Sequence, residues 1–398
     1  MKEILGIHGG EPTRKNYLPY GKQWIDEGDI QKVIDILGSD YLTTGPKIKE
    51  FEEKIANHVG AKYAVAVSNG TAALHGACFA AGIRRGDEVI TTPMTFAASA
   101  NCILYQGARP IFADINPKTY NIDVEDIKRK ITSRTKAIIP VDFTGQPADL
   151  DPILKLAQNY GLMVIEDGAH ALGARYKGKK VGNISPMTTF SFHPVKHITT
   201  GEGGMITTNE EELYKRLLLF RSHGISREED LLQDKNQGNW YYEQLALGYN
   251  YRITDIQCAL GVSQLERLDG FIAKRKALAE AYNEALENME GLILPYQADF
   301  SESSWHLYVI QLELGSFKVG RKEIFEALQG ENIGVNVHYI PVYYHPYYQE
   351  LGYKKGLCPK AEELYEGIIS LPLFPKMDKE EVLDVTKAVK KVLNYYRK

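Results

Sequence analysis

The sequence contains few cysteines, and none of them has a spacing typical of cross-linked or metal-bound proteins. Only 4 of the 398 residues are cysteine, and no C-x-x-C pair occurs. Disulfide frameworks and zinc sites need several cysteines at short, regular spacings. We therefore expect free thiols, no metal centre and a cytoplasmic location, where thiols stay reduced.

Long hydrophobic runs are also missing. Residues 1–12 show no apolar core of a secretory signal. The least polar long stretch, residues 72–83, contains His75 and is shorter than the ~20 residues that a membrane-spanning helix needs. We expect a chain that does not interact with membranes.

No charge of one sign dominates. The chain has 47 Lys and Arg against 51 Asp and Glu, a net charge of −4, with no block of like charge, which argues against a nucleic-acid protein. The glycine-rich loops of dinucleotide and P-loop sites are absent as well. Glycine, with 35 residues, and tyrosine, with 25, are abundant. The glycines favour many tight turns. The tyrosines favour interfaces and ligand-contacting surfaces that are apolar but carry a polar group.

Short apolar runs alternate with helical stretches over the first ~265 residues. Several runs show no polar alternation, which is typical of strands buried on both faces of a parallel sheet. The alternation predicts an α/β fold, with a mostly parallel central sheet flanked by helices. The predicted strands are 63–67, 88–91, 110–113, 137–141, 163–166, 188–192 and 205–208, and the predicted helices between them include 72–81, 97–106 and 150–160.

The length allows two or three domains, and the pattern changes after a long helical stretch. Capping-box patterns predict helix starts at Asn209 and Thr254, and the helical stretch is interrupted near Asp269 and Gly270. We predict a large domain at 1–265, whose first ~25 residues pack on the smaller one, and a small α+β domain at 266–398. The latter has predicted strands at 307–314 and 335–339 and helices at 321–328, 361–368 and 379–395.

Three motifs place residues with reactive or ligand-binding groups at the end of a predicted strand. Ser68-Asn69-Gly70-Thr71 joins a strand to a helix start, where backbone N–H groups and the helix dipole can hold a phosphate; a plain turn capped by Thr71 is the alternative. Asp167 and His170 follow the strand at 163–166, where open α/β sheets build their sites, although Asp167 as a simple cap is an equal alternative.

The third motif places Lys196 in a loop between two buried strands, next to proline and glycines. A lysine drawn into a site loses its charge more easily and can attack a carbonyl group, whereas an exposed loop lysine is the ordinary case. Taken together, a phosphate cradle, an acid and a lysine are the three attachments of pyridoxal phosphate. The acid keeps the pyridine nitrogen protonated, and the lysine holds the aldehyde.

The exact residue order of these motifs points to a family more specifically than the chemistry of the individual residues does. In order, S-N-G-T-x-A-L, T-P-M-T-F, E-D-G-A-H, F-S-F-H-P-V-K and E-G-G-M resemble the DegT/DnrJ/EryC1/StrS family of sugar aminotransferases, from about Tyr20 to the final strands. The resemblance implies PLP-dependent transferase fold type I, pyridoxal 5'-phosphate as cofactor and transaminase activity. Some members carry histidine at the lysine position and act as dehydratases, so Lys196 favours transamination.

The resemblance also implies roles for individual residues. Lys196 matches the Schiff-base lysine, and Asp167 matches the acid at the pyridinium nitrogen. The other matching cofactor positions are the phosphate groups Gly70, Thr71 and Ser191, the ring contacts Phe96 and His170, and Asn250, which reaches the neighbouring subunit's phosphate. The matching substrate positions are Tyr20, Tyr41, Thr43, Thr44, Gly45, Asn250, His338 and Tyr339. A homodimer with shared active sites follows from the role of Asn250.

Each position has a simpler interpretation. Phe96 fits a core residue, His170 a helix cap, and Tyr41 with Thr43 a surface turn. His338 and His345 have an H-x₆-H spacing that suits metal ligation on neither a helix nor a strand, so we expect no metal there.

The lysine motif resembles the branch that acts on UDP-linked 4-keto sugars. The resemblance implies transfer of an amino group, with glutamate as expected donor, to the C4 keto group of a UDP-linked deoxy-keto sugar of the pseudaminic acid type. A UDP-4-keto-pentose or a dTDP- or GDP-hexose is an alternative substrate. A non-catalytic regulator with the same fold is a further alternative, which the intact Lys196 and Asp167 disfavour.

Overall fold

Seven strands between residues 63 and 208 form one sheet in the computed structural model of the protein. The structure describes residues 3–398. The strands of the protein are β1 Tyr63–Val67, β2 Glu88–Thr91, β3 Arg109–Phe112, β4 Thr135–Ile139, β5 Met163–Asp167, β6 Arg175–Tyr176, β7 Lys179–Lys180, β8 Met187–Ser191, β9 Gly204–Thr208, β10 Ile225–Ser226, β11 Glu243–Gln244, β12 Leu292–Ile293, β13 Ser301–Glu302, β14 Tyr308–Leu312 and β15 Ile368–Leu371. The large sheet has the order β1-β9-β8-β5-β4-β2-β3.

The described chain contains thirteen α-helices. They are α1 Glu27–Leu37, α2 Pro46–Val59, α3 Gly70–Ala80, α4 Ala98–Tyr105, α5 Val124–Lys130, α6 Leu150–Tyr160, α7 Glu211–Arg221, α8 Asp255–Glu266, α9 Leu268–Leu286, α10 Arg321–Gly330, α11 Pro346–Glu350, α12 Pro359–Gly367 and α13 Lys379–Tyr396. All seven predicted strands of the sheet and the helices between them are present, with ends shifted by two residues or fewer.

The sheet is parallel except at one strand. Strands β8, β5, β4, β2 and β3 pair in parallel, whereas β9 runs antiparallel to both β8 and β1. The predicted α/β class is confirmed. Because the carboxyl ends of β1, β5 and β8 lie at one edge, the residues that follow them meet there.

The last third of the chain forms a small antiparallel sheet with the order β12-β14-β15, packed with α9, α10 and α13. Leu5 and Leu18 belong to the same buried cluster, so the N-terminal segment does pack on this part of the molecule. The division into domains at 1–265 and 266–398 stays a prediction.

Two sequence predictions about elements are wrong. Residues 335–339 do not form a strand, because this stretch pairs only through an isolated bridge between Asn336 and Ser370; the pairing strand is β15 instead. Asn209 does not cap α7, since its side chain accepts a hydrogen bond from the Lys62 N–H. The predicted interruption of the long helical stretch is present, at Arg267, two residues before Asp269. The capping box at Thr254 is confirmed.

The start of α3 is fixed by a close backbone approach from β9. A Cβ atom at Gly204 would lie 2.9 Å from the Gly70 nitrogen and closer still to the Asn69 carbonyl. Both neighbours are backbone atoms, which cannot turn aside as a flexible side chain would. Glycine at position 204 therefore lets β9 pair with β1 while α3 begins beside it.

We predict that Gly204→Ala destabilises the protein by about 1–3 kcal/mol, because the added methyl group forces β9 and the start of α3 apart. Urea-induced unfolding measures the change. Gly270→Ala is the matched control: its Cβ meets open space within α9, so alanine should stabilise the protein by about 0.5–1 kcal/mol. Equal stability of the two variants would contradict the close approach.

Candidate active site

A cavity of about 820 Å³ opens at the carboxyl edge of the large sheet. It lies among the start of α3, the end of β5, the loop after β8 and residues 336–339. Ten of the predicted site residues line it: Tyr20, Gly70, Thr71, Phe96, Asp167, His170, Ser191, Lys196, His338 and Tyr339. Residues far apart in the sequence thus meet around one space.

The first turn of α3 forms one end of the cavity. Asn69 caps the helix, with its side chain accepting a hydrogen bond of 2.8 Å from the Ala72 N–H, so the alternative of Thr71 as the cap is wrong. A Cβ atom at Gly70 would lie 2.9 Å from the Ser191 Cβ. Gly70 and Ser191 are therefore in close contact, and a side chain at position 70 would not fit. The part of the cavity that they border with Thr71, here called the Gly70 cleft, offers backbone N–H groups and hydroxyls, which fits a phosphate.

Asp167 is buried at the end of β5 and faces the cavity. Its Oδ2 accepts a hydrogen bond of 2.6 Å from the Ser99 hydroxyl, and its Oδ1 accepts one from the Ala169 N–H. Burial raises the pKa of this carboxyl group, while the bonds from Ser99 and Ala169 and the charge of Lys196 act in the opposite direction. A buried carboxylate held in this way fits the protonated nitrogen of a pyridine ring.

The neighbouring acid, Glu166, has a different place. It is fully buried and accepts a hydrogen bond of 2.8 Å from the Thr188 hydroxyl, away from the cavity lining. Adjacent residues of a strand point to opposite faces, so only one of the two acids can face the ligand.

Lys196 lies in the cavity wall rather than on an exposed loop. Its backbone N–H donates to the His193 carbonyl, which closes a turn between β8 and β9. Burial lowers the pKa of the Lys196 amine to about 8, against the opposing effect of Asp167. A considerable fraction of the amine is therefore neutral near pH 8, which is the form that attacks an aldehyde.

A wall of uncharged rings stands opposite α3. The His170 Nε2 lies 3.0 Å from the Tyr339 hydroxyl, and the His338 Nδ1 lies 2.8 Å from the Ser370 hydroxyl. Burial holds the pKa of His170 well below its usual range and lowers the pKa of His338 to about 3, whereas it raises the pKa of Tyr339. His170 precedes no helix, so its interpretation as a helix cap is wrong.

Two aromatic residues reach the cavity from outside the sheet. The Phe96 side chain is 62% exposed, which rules out the interpretation as a core residue, and its ring lies 6.3 Å from the Tyr339 ring. Tyr20, from the N-terminal segment, has its ring 5.5 Å from the His338 ring. Both rings are free to contact a ligand in the cavity.

The other predicted site residues do not line this cavity. Tyr41, Thr43, Thr44 and Gly45 form an exposed loop, in which the Gly45 N–H donates to the buried carboxylate of Asp255. Asn250 is exposed and pairs with Ser222. The structure of one chain thus leaves these five residues apart from the other ten.

The structure adds residues that the sequence analysis missed. Ser99, which bonds Asp167, also lies 2.7 Å from the Thr95 hydroxyl, and the (i, i+4) spacing of the two is its only signal in the sequence. His306 lines the cavity from a distant part of the chain, with its ring 4.3 Å from the His170 ring. No local pattern marks His306.

Among residues 3–398, no group of three or more His, Cys, Asp or Glu side chains is arranged to hold a metal ion. All four cysteines are buried and unpaired. Over the same part of the chain, no helix is long and apolar enough to cross a membrane.

The model of the DegT/DnrJ/EryC1/StrS aminotransferase family matches residues 23–390. The chain belongs to this family. Among curated relatives, the spore coat polysaccharide biosynthesis protein SpsC of Bacillus subtilis is 45% identical over 382 residues, covering 96% of this chain and 98% of SpsC. The UDP-4-amino-4,6-dideoxy-N-acetyl-beta-L-altrosamine transaminase of Campylobacter jejuni is 37% identical over 384 residues, covering 96% and 99%.

Solved structures agree with this assignment. Helicobacter pylori PseC, an aminotransferase involved in the biosynthesis of pseudoaminic acid, superposes with a TM-score of 0.88 at 33% identity, covering 96% of this chain and 100% of PseC. The sugar aminotransferase Spr1654 of Streptococcus pneumoniae, in its PLP form, gives a TM-score of 0.88 at 32% identity, covering 95% and 99%. The predicted family, fold type, enzyme class and cofactor are confirmed: the chain is a transaminase that uses pyridoxal phosphate.

We predict that Ser99→Ala weakens cofactor binding about tenfold at acidic pH, because loss of its hydrogen bond raises the pKa of Asp167 and a protonated carboxyl group pairs poorly with a protonated ring nitrogen. For the same reason, the acid limb of the activity profile should move to higher pH. Cofactor titration at several pH values measures the first effect, and the pH profile of transaminase activity measures the second. Ser316→Ala, outside the cavity, is the control, and equal affinity in both variants would count against this role of Asp167.

Proposed function

We propose that this aminotransferase moves an amino group from glutamate to the C4 keto group of a UDP-linked deoxy-keto sugar, a precursor of the pseudaminic acid type. The observation that carries the proposal is the meeting of Lys196, Asp167 and the Gly70 cleft in one cavity. The relatives named for an altrosamine transaminase and for pseudoaminic acid biosynthesis support the choice of sugar.

Pyridoxal phosphate supplies an aldehyde and an electron-withdrawing ring that stabilises a substrate carbanion. Each attachment has its residue in the cavity. Lys196 would hold the aldehyde, and its amine is placed to accept and donate a proton in the cavity. Asp167 would pair with the protonated ring nitrogen, and the Gly70 cleft, with Thr71 and Ser191, would hold the phosphate. Phe96 and His170, which line the same cavity, would contact the ring.

The cavity wall beyond Lys196 suits a sugar. Tyr20 presents a hydroxyl group, and burial keeps the His338 imidazole and the Tyr339 phenol neutral at physiological pH, because it lowers the pKa of His338 and raises that of Tyr339. These groups can exchange hydrogen bonds with sugar hydroxyls. Burial of the imidazole and phenol groups also makes an unmatched polar partner costly, which favours one arrangement of the sugar.

A donor such as glutamate and a nucleotide diphosphate both carry anionic groups that need hydrogen-bond donors as well as positive charge. Among the described residues that line the cavity, Lys196 is the one lysine or arginine. We propose that a second subunit adds hydrogen-bond donors to the site, with the hydroxyl, amide and backbone N–H groups of Tyr41, Thr43, Thr44, Gly45 and Asn250 of one subunit reaching the cavity of the other. These residues are exposed or half-exposed in the single chain.

An apolar stripe beside the exposed loop supports a homodimer. Ile30, Ile34 and Leu37 follow the (i, i+4, i+7) spacing on α1, and their side chains are exposed by 44%, 51% and 58%. Tyr41 and Leu42 continue this surface into the loop and are also exposed. A continuous apolar face of this kind is typical of a permanent subunit interface.

We predict that the purified protein aminates a UDP-linked 4-keto deoxy-sugar in the presence of glutamate, and that Lys196→Ala loses at least a thousandfold in turnover, as when a catalytic nucleophile is removed. Product formation by mass spectrometry against UDP-, dTDP- and GDP-linked 4-keto sugars is the measurement. Lys215→Ala, an exposed lysine paired with Glu211, is the control and should keep full activity.

Preferred amination of a dTDP- or GDP-linked sugar would overturn the proposed substrate and leave the transaminase assignment intact. Full activity of Lys196→Ala would instead overturn the role of the lysine. The two failures are distinguishable, because the first changes the acceptor and the second removes the dependence on this amine.

The shared site makes a separate prediction. Asn250→Ala and Lys196→Ala should each be weakly active alone. Mixed dimers contain one site with both native residues, so unfolding and refolding the two variants together should restore about a quarter of wild-type activity by random pairing. Activity after mixing that equals the sum of the separate variants would show that Asn250 does not serve the neighbouring site.

A further inference from the structure

Arg275 of α9 is a buried cation without a carboxylate partner among the described residues. It is 1% exposed, and no ion pair includes it. Its Nη1 donates to three backbone carbonyl groups, at 3.2 Å to Trp305, 3.1 Å to His306 and 2.8 Å to Leu373. A buried guanidinium held only by carbonyl dipoles costs desolvation energy, so its position calls for a reason beyond packing.

Two of the three carbonyls belong to a segment that Arg275 holds in place. Trp305 has a φ of +50°, a conformation that a bulky residue adopts only when its surroundings enforce it. The preceding Ser304 N–H donates to the Gly145 carbonyl, and a Cβ atom at Gly145 would lie 2.9 Å from the nitrogens of both Trp305 and His306. The segment Ser304–His306 is thus fixed between α9 and this glycine turn.

This segment connects Arg275 to the cavity wall. The Ser304 hydroxyl donates 3.0 Å to the His170 carbonyl, and the Ser304 carbonyl lies 3.3 Å from the Nε2 of His197, the residue after Lys196. The His306 ring packs between the His170 ring, at 4.3 Å, and the His197 ring, at 5.5 Å. A displacement of Ser304–His306 would move the supports of both His170 and Lys196.

We propose that Arg275 is a positioning residue for Lys196 and His170: its guanidinium group fixes Ser304–His306 behind the cavity, and its unpaired charge acts on the lysine amine. The charge disfavours the protonated form of the Lys196 amine and of the surrounding imidazoles. The inference rests on the proposed role of Lys196 and is independent of the sugar that the enzyme uses.

The groups that act on the Lys196 amine have opposing signs. Asp167 stabilises the charged amine, while burial and the charge of Arg275 disfavour it. The titratable side chains around it from the other elements are His170, His197, His306, His338 and Tyr339, and burial holds the pKa of each histidine below its usual range. Neutral histidines carry no charge that could change the pKa of Lys196. Arg275 is therefore the cation whose removal should raise that pKa.

The test measures the reactivity of Lys196 in the cofactor-free protein. Acetylation of each lysine is followed over a pH series by peptide mass spectrometry, which gives the pH midpoint of Lys196 without any catalytic assay. Arg275→Gln removes the charge but keeps amide donors, and we expect the midpoint to rise by about half a pH unit. Arg275→Lys keeps the charge, so its midpoint should stay near that of the wild type.

Arg216→Gln is the matched control, since Arg216 also donates to a backbone carbonyl, that of Phe79, but lies outside the cavity lining. Its Lys196 midpoint should not change. If Arg275→Gln does not fold, Arg275→Met provides a second neutral variant, with an unbranched apolar side chain that can fill the same buried space. An unchanged midpoint in the neutral variant, or an equal rise in Arg275→Lys, would overturn the proposal.

Discussion

The backbone contact between β9 and the start of α3 is the constraint on which the active site depends. Gly204 lets β9 pair with both β1 and β8 while Asn69 and Gly70 pass beside it. The antiparallel strand is therefore not an irregularity of an otherwise parallel sheet. It brings the helix start and the end of β8 to the distance at which Gly70 and Ser191 form a cleft.

Asp167 and Lys196, which can carry opposite charges, line the same cavity at this edge of the sheet. Burial raises the pKa of Asp167 against the opposing effects of Ser99 and Lys196, and it lowers the pKa of Lys196 against the opposing effect of Asp167. Each group thus favours the charged form of the other. A protonated ring nitrogen bound beside Asp167 would favour the ionised carboxylate in the same way as the charged lysine does.

The sequence was sufficient for the parts of the site that follow directly from strands. Gly70, Asp167 and Lys196 each come after an apolar run, and parallel pairing places such positions at one edge. Ser99 and His306 escaped prediction because their partners, Asp167 and His170, are distant in the chain and tertiary packing alone joins them. Residues 335–339 were mistaken for a strand since their alternating pattern reflects a cavity wall rather than a ladder.

The cleft between Gly70 and Ser191 joins three neighbouring strands, of which β1 is at the border of the sheet. A phosphate bound there would contact both the chain after β1 and the end of β8, so cofactor binding would favour the folded state of this edge of the sheet. A hundredfold excess of free cofactor over its Kd adds about 2.7 kcal/mol to stability, so the thermal stability of the enzyme should rise with the concentration of its cofactor.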